Sequence, residues 1–378
     1  MTMQSPPRAF PALDGLRGIA ALAVAARHAP YLWADGYPAG FLHQTYLAVD
    51  FFFVLSGFVL CHAYGQRFQA GLPVRSFMLG RLVRLYPLYF TAFVLACAIA
   101  VIRLVRAKVT PFEFAGNLTA GVLFLPSPLS ATDLFPMNLP AWSLFFELVA
   151  NLAFALIGRR LTMRVTGMIT AGGAVVLLAA VPMGWLGFGS VDGPLDAGPT
   201  WQSMGGGLAR VTFSFFAGVL MYRLRSVWTP RLAVPAWLAL AAVCAILAGA
   251  PEKAWEVAYD LTAVLVAFPL IVFFGATSRL RPIAARAASA MGDASYAIYV
   301  LQFPLFGLLP PAFAVLLGYK PPEISLGFGL ACVALVAIVG WAADRVIDRP
   351  VRSKLSAMLR RPRQSAMPGL EPRLYPRA

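Results

Sequence analysis

Residues 13–28 read LDGLRGIAALAVAARH. The run is apolar enough to enter a bilayer, yet it carries Asp14, Arg17, Arg27 and His28. Charged or titratable groups are costly in hydrocarbon, so a span that holds them turns them toward a protein interior or a wet cavity. Arg17 and His28 stand at i and i+11. At about 100° per residue that is about three turns, which puts both side chains on one helix face. At about 1.5 Å per residue they lie about 16 Å apart along the axis, half a hydrocarbon core. One face therefore places a cation near one membrane surface and an imidazole much deeper. The plainer alternative is that Arg17 reaches back to the surface and His28 caps the helix near water.

The whole chain fits that first stretch. It has 378 residues, 60% hydrophobic and only 12% charged, where a soluble chain is nearer half apolar and one quarter charged. The apolar runs are long and continuous, which excludes a β-barrel. The fold class expected is all-α: a polytopic transmembrane helical bundle. The net charge of +15 reflects where arginines sit relative to the spans, and no nucleic-acid partner is expected. Cys61, Cys97, Cys244 and Cys332 all fall in apolar runs without C-x-x-C or histidine company. They read as small core residues, and no metal site is expected.

About ten spans are expected, near 12–33, 46–64, 86–105, 139–157, 165–186, 206–222, 232–248, 257–274, 290–317 and 324–346. No cleaved leader is expected, the first span being retained. Residues 65–85 read as a basic connection. Residues 112–125 are apolar but short, and Glu113, Gly116 and Asn117 interrupt them; that length suits a re-entrant or surface segment. With that segment uncounted, the arginines of 65–85, 159–164, 223–231 and 279–286 share one side. The positive-inside rule makes that side cytoplasmic, with both termini. The localisation expected is thus a multi-pass membrane protein with both termini on the cytoplasmic side. Residues 1–348 form the membrane domain, and 349–378 a basic cytoplasmic tail expected to be disordered.

Depth brings other polar groups toward His28. Asp50 lies near the outer end of the second span, where it would orient the imidazole or favour its charged form; capping the helix start is the alternative. Ser143, Glu147 and Asn151, at i, i+4 and i+8, form one polar stripe on the fourth span beside Trp142. An unpaired carboxylate there is expensive, and a structural partner such as an arginine is the other reading of Glu147. Arg81 and Arg84, at i and i+3, join Arg17 on the cytoplasmic side, where planar guanidiniums suit phosphates. Ser295, Tyr299 and Gln302 share about one face of the ninth span. No Walker loop, GxGxxG or metal-ligand set occurs. Arginines at one end and His, Asp, Glu and Ser at the other suit a cytoplasmic anionic donor and an acceptor arriving from outside.

These motifs resemble the acyltransferase-3 family of membrane O-acyltransferases of bacterial surface glycans. The resemblance lies in Arg17-x10-His28, VDFFFVLSGFVL at 49–60, RLVRLYPLY at 81–89, AWSLFFE at 141–147, SYAIYVLQFPL at 295–305 and DRP at 348–350. It covers about residues 11–350. It implies ten or eleven helices, acetyl-CoA or another acyl-CoA as donor, and a hydroxyl of an extracytoplasmic sugar, glycan or lipid-linked sugar as acceptor. It also implies that His28 is essential, with Arg17, Arg81, Arg84 and Glu147 in the functional core. Gln302 departs from the pattern, because the family often has histidine there.

The expected activity is therefore O-acyl transfer, acetyl first, within a shell of membrane lipids. Arg17, Arg81 and Arg84 would hold the donor, and His28 would act as general base with Asp50 or Glu147. Trp142, Ser143 and Asn151 would meet the acceptor. The alternative from another class is a proton-coupled secondary transporter using the same His/Asp/Glu cluster, which would call for paired inverted repeats that the sequence does not display.

Overall fold

Small residues decide how the helices meet. In the computed structural model, which describes residues 10–29, 42–105, 109–189, 192–228, 234–318 and 326–360, α1 (Pro11–His28) lies along the long α11 (Pro282–Leu317). Gly15 faces Ala288, Gly18 faces the Met291 backbone and Gly292 faces Asp14, so the two backbones approach closely. Arg17 meets Ser295 and His28 meets Gln302, so the helices are parallel. Both begin with a proline in the first turn, where the missing N–H has no intrahelical partner to lose.

A second close pair is α2 (Ala48–Gln69), entered through the 3-10 turn His43–Leu47, and α7 (Met204–Val227). A side chain at Gly57 would strike the Phe215 carbonyl, and one at Gly218 the Val54 carbonyl. Both backbones are rigid at that crossing. Gly57→Leu is therefore expected to destabilise the protein by at least about 1–3 kcal/mol. A thermal midpoint in detergent equal to the native one would remove this crossing from the list of tight contacts.

The remaining elements are α3 (Val74–Val105), α4 (Pro111–Val122), α5 (Ala141–Ile157), α6 (Met163–Met183) and α8 (Ala236–Leu247). Then come α9 (Glu256–Thr262), joined by a π-turn to α10 (Phe268–Gly275), and α12 (Leu326–Ala343), joined by the π-turn Asp344–Asp348 to α13 (Arg349–Arg360). The described residues contain no β-strand, only an isolated bridge between Asp133 and Thr200. Seven described helices are long and apolar enough to cross a membrane. This is an all-α polytopic membrane protein. The other three expected spans fall on α1, α8 and α11; α8, at 12 residues, is about 18 Å long and shorter than a hydrocarbon core.

Three expectations need correction or sharpening. Residues 65–85 are not an irregular connection: α2 runs to Gln69 and α3 starts at Val74, so Arg81 and Arg84 sit inside a helix. Arginine is a good helix former, and its charge lowers hydropathy without breaking the helix. Residues 112–125 hold the short α4, begun by a capping box between Thr110 and Glu113. Its far end is tied to α3 by Tyr89 Oη donating to Gly121 O at 2.6 Å and Tyr86 Oη donating to Val122 O at 2.8 Å. It is a half-length helix folded back along α3. The tail expected to be disordered from 349 is helical to Arg360. Asp348–Arg352, Asp344–Arg349 and Asp293–Arg349 ion pairs, all at 2.7–3.0 Å, hold it to the bundle. The outer end of the first expected span beyond Ala29 and the tail beyond Arg360 lie outside the described residues.

The loops before α5 and α7 clasp each other. Leu134 N donates to Pro199 O at 2.8 Å and Trp201 N to Thr132 O at 2.9 Å. Arg27 on α1 reaches the second loop through Asp192, 3.0 Å away.

Candidate active site

α1, α2, α3, α5 and α11 surround a cavity of about 220 Å³. Its lining on α2 extends from Val49 to Leu60, i to i+11, so the slot is about 16 Å long. One end is arginine-rich. Arg17 donates Nε to Ser295 Oγ at 2.9 Å and Nη2 to Gly292 O at 2.6 Å, with Asp14 at 3.3 Å. Arg81 Nη2 and Ser56 Oγ both donate to Glu147 Oε1, at 2.8 and 2.7 Å. Arg84 Nη1 donates to Asp348 Oδ2 at 3.2 Å, and its guanidinium lies over the Tyr296 ring. Each of the three guanidiniums thus has a carboxylate beside it. Arg17 and Arg84 keep about a third of their side-chain surface exposed, 32% and 33%. That surface is what an incoming anion would meet.

The other end is lined mostly by apolar and aromatic side chains. Phe52 and Tyr299 meet edge to face, ring centres 5.7 Å apart. Ser143 Oγ donates to Pro140 O at 3.0 Å, which leaves Tyr299 Oη to donate to Ser143 at 2.8 Å. Three residues on from Tyr299, about 4.5 Å along α11, the Gln302 side chain meets the His28 imidazole. His28 is exposed at the end of α1 and is outside the cavity lining.

The expected constellation is therefore split. Arg17, Arg81, Arg84, Ser143 and Glu147 do line one cavity, and Arg17 and His28 do share the α1 face turned to α11. Asp50 does not join His28. It is fully buried, and it pairs with the fully buried Arg210 of α7 through two bonds of 2.6 and 3.1 Å, with Ser214 Oγ donating at 3.1 Å. The Gly57–Gly218 crossing turns this α2 face to α7. Glu147 lies with the arginines instead of with His28, as the arginine-partner reading foresaw. Trp142 is buried, with the Arg210 guanidinium 5.7 Å from its ring, away from the slot. Asn151 is wholly buried, outside the cavity lining, with no hydrogen-bond partner among the described residues.

Several working residues escaped the sequence reading. Arg210 carried a usable signal: it is an ionisable group in an apolar span, and such a group needs a partner. Asp348, 0% exposed and bridging Arg84 and Arg352, was hidden by being assigned to the edge of a tail. Ser56 and Tyr296 lie inside the stretches 49–60 and 295–305 that carry the family resemblance, but neither stood out there by spacing or charge.

Comparison with known proteins matches these observations. Residues 10–343 match the model of the acyltransferase-3 family, an acyltransferase domain. The chain belongs to that family. It is a membrane O-acyltransferase, and the transporter alternative gives way to that assignment. It is 26% identical over 371 residues to acyltransferase MdmB of Streptomyces mycarofaciens, covering 91% of this chain and 92% of the relative. It is 44% identical over 191 residues to protein 2 in the picA locus of Rhizobium radiobacter, covering 47% of this chain and 97% of the relative. Over 86 residues it is 33% identical to peptidoglycan O-acetyltransferase OatA of Listeria monocytogenes, covering 22% of this chain and 12% of that protein. No solved structure matches.

Proposed function

We propose that the protein moves an acyl group, acetyl first, from cytoplasmic acyl-CoA to a hydroxyl of an extracytoplasmic sugar or glycan. In this reading it sits in the inner membrane with both termini in the cytoplasm. The observation that carries the proposal is the convergence of Arg17, Arg81 and Arg84 on one end of a slot whose other end is apolar. That polarity fits a nucleotide phosphate group carrying a thin, less polar acyl-pantetheine arm. Bidentate guanidiniums hold the phosphates, and the arm extends toward Phe52 and Tyr299.

His28, one α11 turn beyond, takes the proton from the acceptor hydroxyl. The alkoxide oxygen attacks the thioester carbonyl, the carbon–sulfur bond breaks, and CoA leaves as the thiolate. The imidazolium then gives its proton to the thiolate. Peptidoglycan in the name of the Listeria relative supports a glycan acceptor.

Incubation of the purified protein with labelled acetyl-CoA and a cell-envelope glycan mixture is expected to label the glycan. Label that never leaves CoA would end this reading. Arg84→Ala is the sharpest donor variant, because Asp348 keeps Arg352 as its partner. A lost charged hydrogen bond is worth about 1.5–3 kcal/mol, so acetyl-CoA affinity is expected to fall about 10- to 100-fold. Arg84→Lys is expected to recover part of it, since lysine keeps the charge and loses the fork. Unchanged affinity in folded Arg84→Ala would remove Arg84 from the donor site.

A further inference from the structure

We infer that a polar pocket beside α4 is a sugar subsite, holding a unit of the acceptor glycan that neighbours the one being acylated. The inference rests on the acyl-transfer reading above and assigns a second site, outside the donor slot. The pocket, about 190 Å³, lies between the far end of α3, the start of α4 and the loop before α5. Polar groups make up most of its lining: Glu113 and Asn117 of α4, and Ser130, Thr132 and Asp133 of the loop, with the Phe114 ring beside them. Three of these side chains have bonding capacity left over. Asn117 is only 8% exposed; its Oδ1 accepts from Ser127 Oγ, and its Nδ2 has no hydrogen-bond partner among the described residues. The Asp133 carboxylate has none among them either, although the bridge to Thr200 and the Ser130 hydroxyl hold its backbone. Glu113 spends Oε2 on Thr110 and keeps Oε1 for another donor.

Buried polar groups in native proteins are hydrogen-bonded, so an orphan amide at a cavity marks a place that something polar fills. Sugar hydroxyls match the set: they donate to the two carboxylates and accept from the amide, while the C–H side of the ring rests on Phe114. A bare cation would meet the amide N–H as well as the carboxylates, and no group of three metal-ligating side chains occurs among the described residues. The location fits an acceptor. Tyr296 of α11 donates to Leu85 O of α3, and Gly307 of α11 faces Ile99 of α3, so these two helices run parallel. Ala100, next to Ile99, lines the pocket, about 24 Å along α3 from Arg84. The pocket therefore stands past the level of Gln302 and His28, on the side away from the arginines. It is on the α3 flank of α11, whereas His28 is on the α1 flank. About one helix diameter, 10–12 Å, thus separates them, and one sugar ring cannot occupy both. Asn138 Nδ2, donating to Val300 O at 3.3 Å, ties the pocket's loop to α11.

The test supplies the purified full-length protein with labelled acetyl-CoA and the cell-envelope glycan mixture, either intact or hydrolysed to single sugars. Initial rates are read against glycan concentration. The native protein is expected to show a KM at least about tenfold lower for the intact glycan, at equal sugar content, than for single sugars. Asp133→Ala removes a charged acceptor and is expected to raise KM for the intact glycan about 10- to 100-fold, with kcat and acetyl-CoA affinity close to native. Asp133→Asn keeps one oxygen acceptor and is expected to raise it less. Asn117→Ala is expected to act in the same direction; Asp133→Ala decides the matter if that variant does not fold, because the Asp133 side chain bonds to none of the described residues. Equal KM for intact and hydrolysed glycan, or a native KM in folded Asp133→Ala, would overturn the subsite while leaving acyl transfer standing. Label on neither acceptor would overturn the acyl-transfer reading, and the subsite with it.

Discussion

His28→Gln protein is expected to insert normally and bind acetyl-CoA like the native enzyme, yet transfer the acyl group about two to four orders of magnitude more slowly. Glutamine keeps the size and hydrogen bonding of histidine but cannot act as a base. An imidazole can both accept a hydroxyl proton and return it. The location is compatible with that role: His28 stands at the end of α1 and meets Gln302, one α11 turn past Tyr299, which lines the slot. The chain has three histidines, and the other two give controls. His43 lies 3.8 Å from Glu256, and His62 Nδ1 is 3.1 Å from the Tyr222 hydroxyl. His28, by contrast, meets Gln302 of α11 one turn past Tyr299, which lines the slot, and His43→Ala is expected to be almost silent. The measurement is acyl transfer to the native glycan in cells holding equal amounts of each variant. Native-level transfer by His28→Gln would make His28 structural and move the chemistry to Glu147, the remaining carboxylate that faces the cavity.

What the sequence disclosed about the site follows from what periodicity can and cannot encode. Positions on one helix are readable, because about 100° per residue fixes which side chains share a face. Arg17 and His28 do face one neighbour, and Ser143 and Glu147 do face one cavity. Which neighbour a face meets depends on where two backbones come close. Here that is set by Gly57 against Gly218 and by Gly15, Gly18 and Gly292 between α1 and α11. Nothing in the spacing of Asp50 distinguishes a partner on α1 from one on α7. Charge content misled the boundaries for a different reason. Arg75, Arg81 and Arg84 lower the local hydropathy of a segment that is helical throughout. At the other end of the chain, the Asp348-Arg349-Pro350 sequence reads as a stop. The helix instead runs on through the π-turn Asp344–Asp348 into α13, with Pro350 just after that turn.

Asp50→Ala is expected to destabilise the protein by about 3–5 kcal/mol, the usual cost of stranding one member of a buried ion pair. Asp50 and Arg210 are 0% and 1% exposed at the side chain, so water cannot compensate the guanidinium left behind. The damage would extend beyond the pair. Arg210 Nη1 donates to Ala197 O and Nη2 to Tyr46 O, each at 2.8 Å. It thereby fastens the loop before α7 and the turn before α2 to one point. Replacing both partners by apolar residues, as in Asp50→Leu/Arg210→Met, removes the stranded charge, and such exchanges are often neutral. Here the double variant is expected to recover only part of the loss. The Ala197 and Tyr46 carbonyls would lose their donor, and an unsatisfied buried acceptor costs about 1–3 kcal/mol. Thermal midpoints in detergent, read beside acyl transfer, separate a structural Asp50 from a chemical one. If the pair is structural, stability and activity fall together in Asp50→Asn, because the amide keeps the shape and gives up the charge that balances Arg210. An Asp50→Asn protein with the native midpoint and no transfer activity would show instead that Asp50 acts on the substrate, and the buried pair with Arg210 would have to open during turnover.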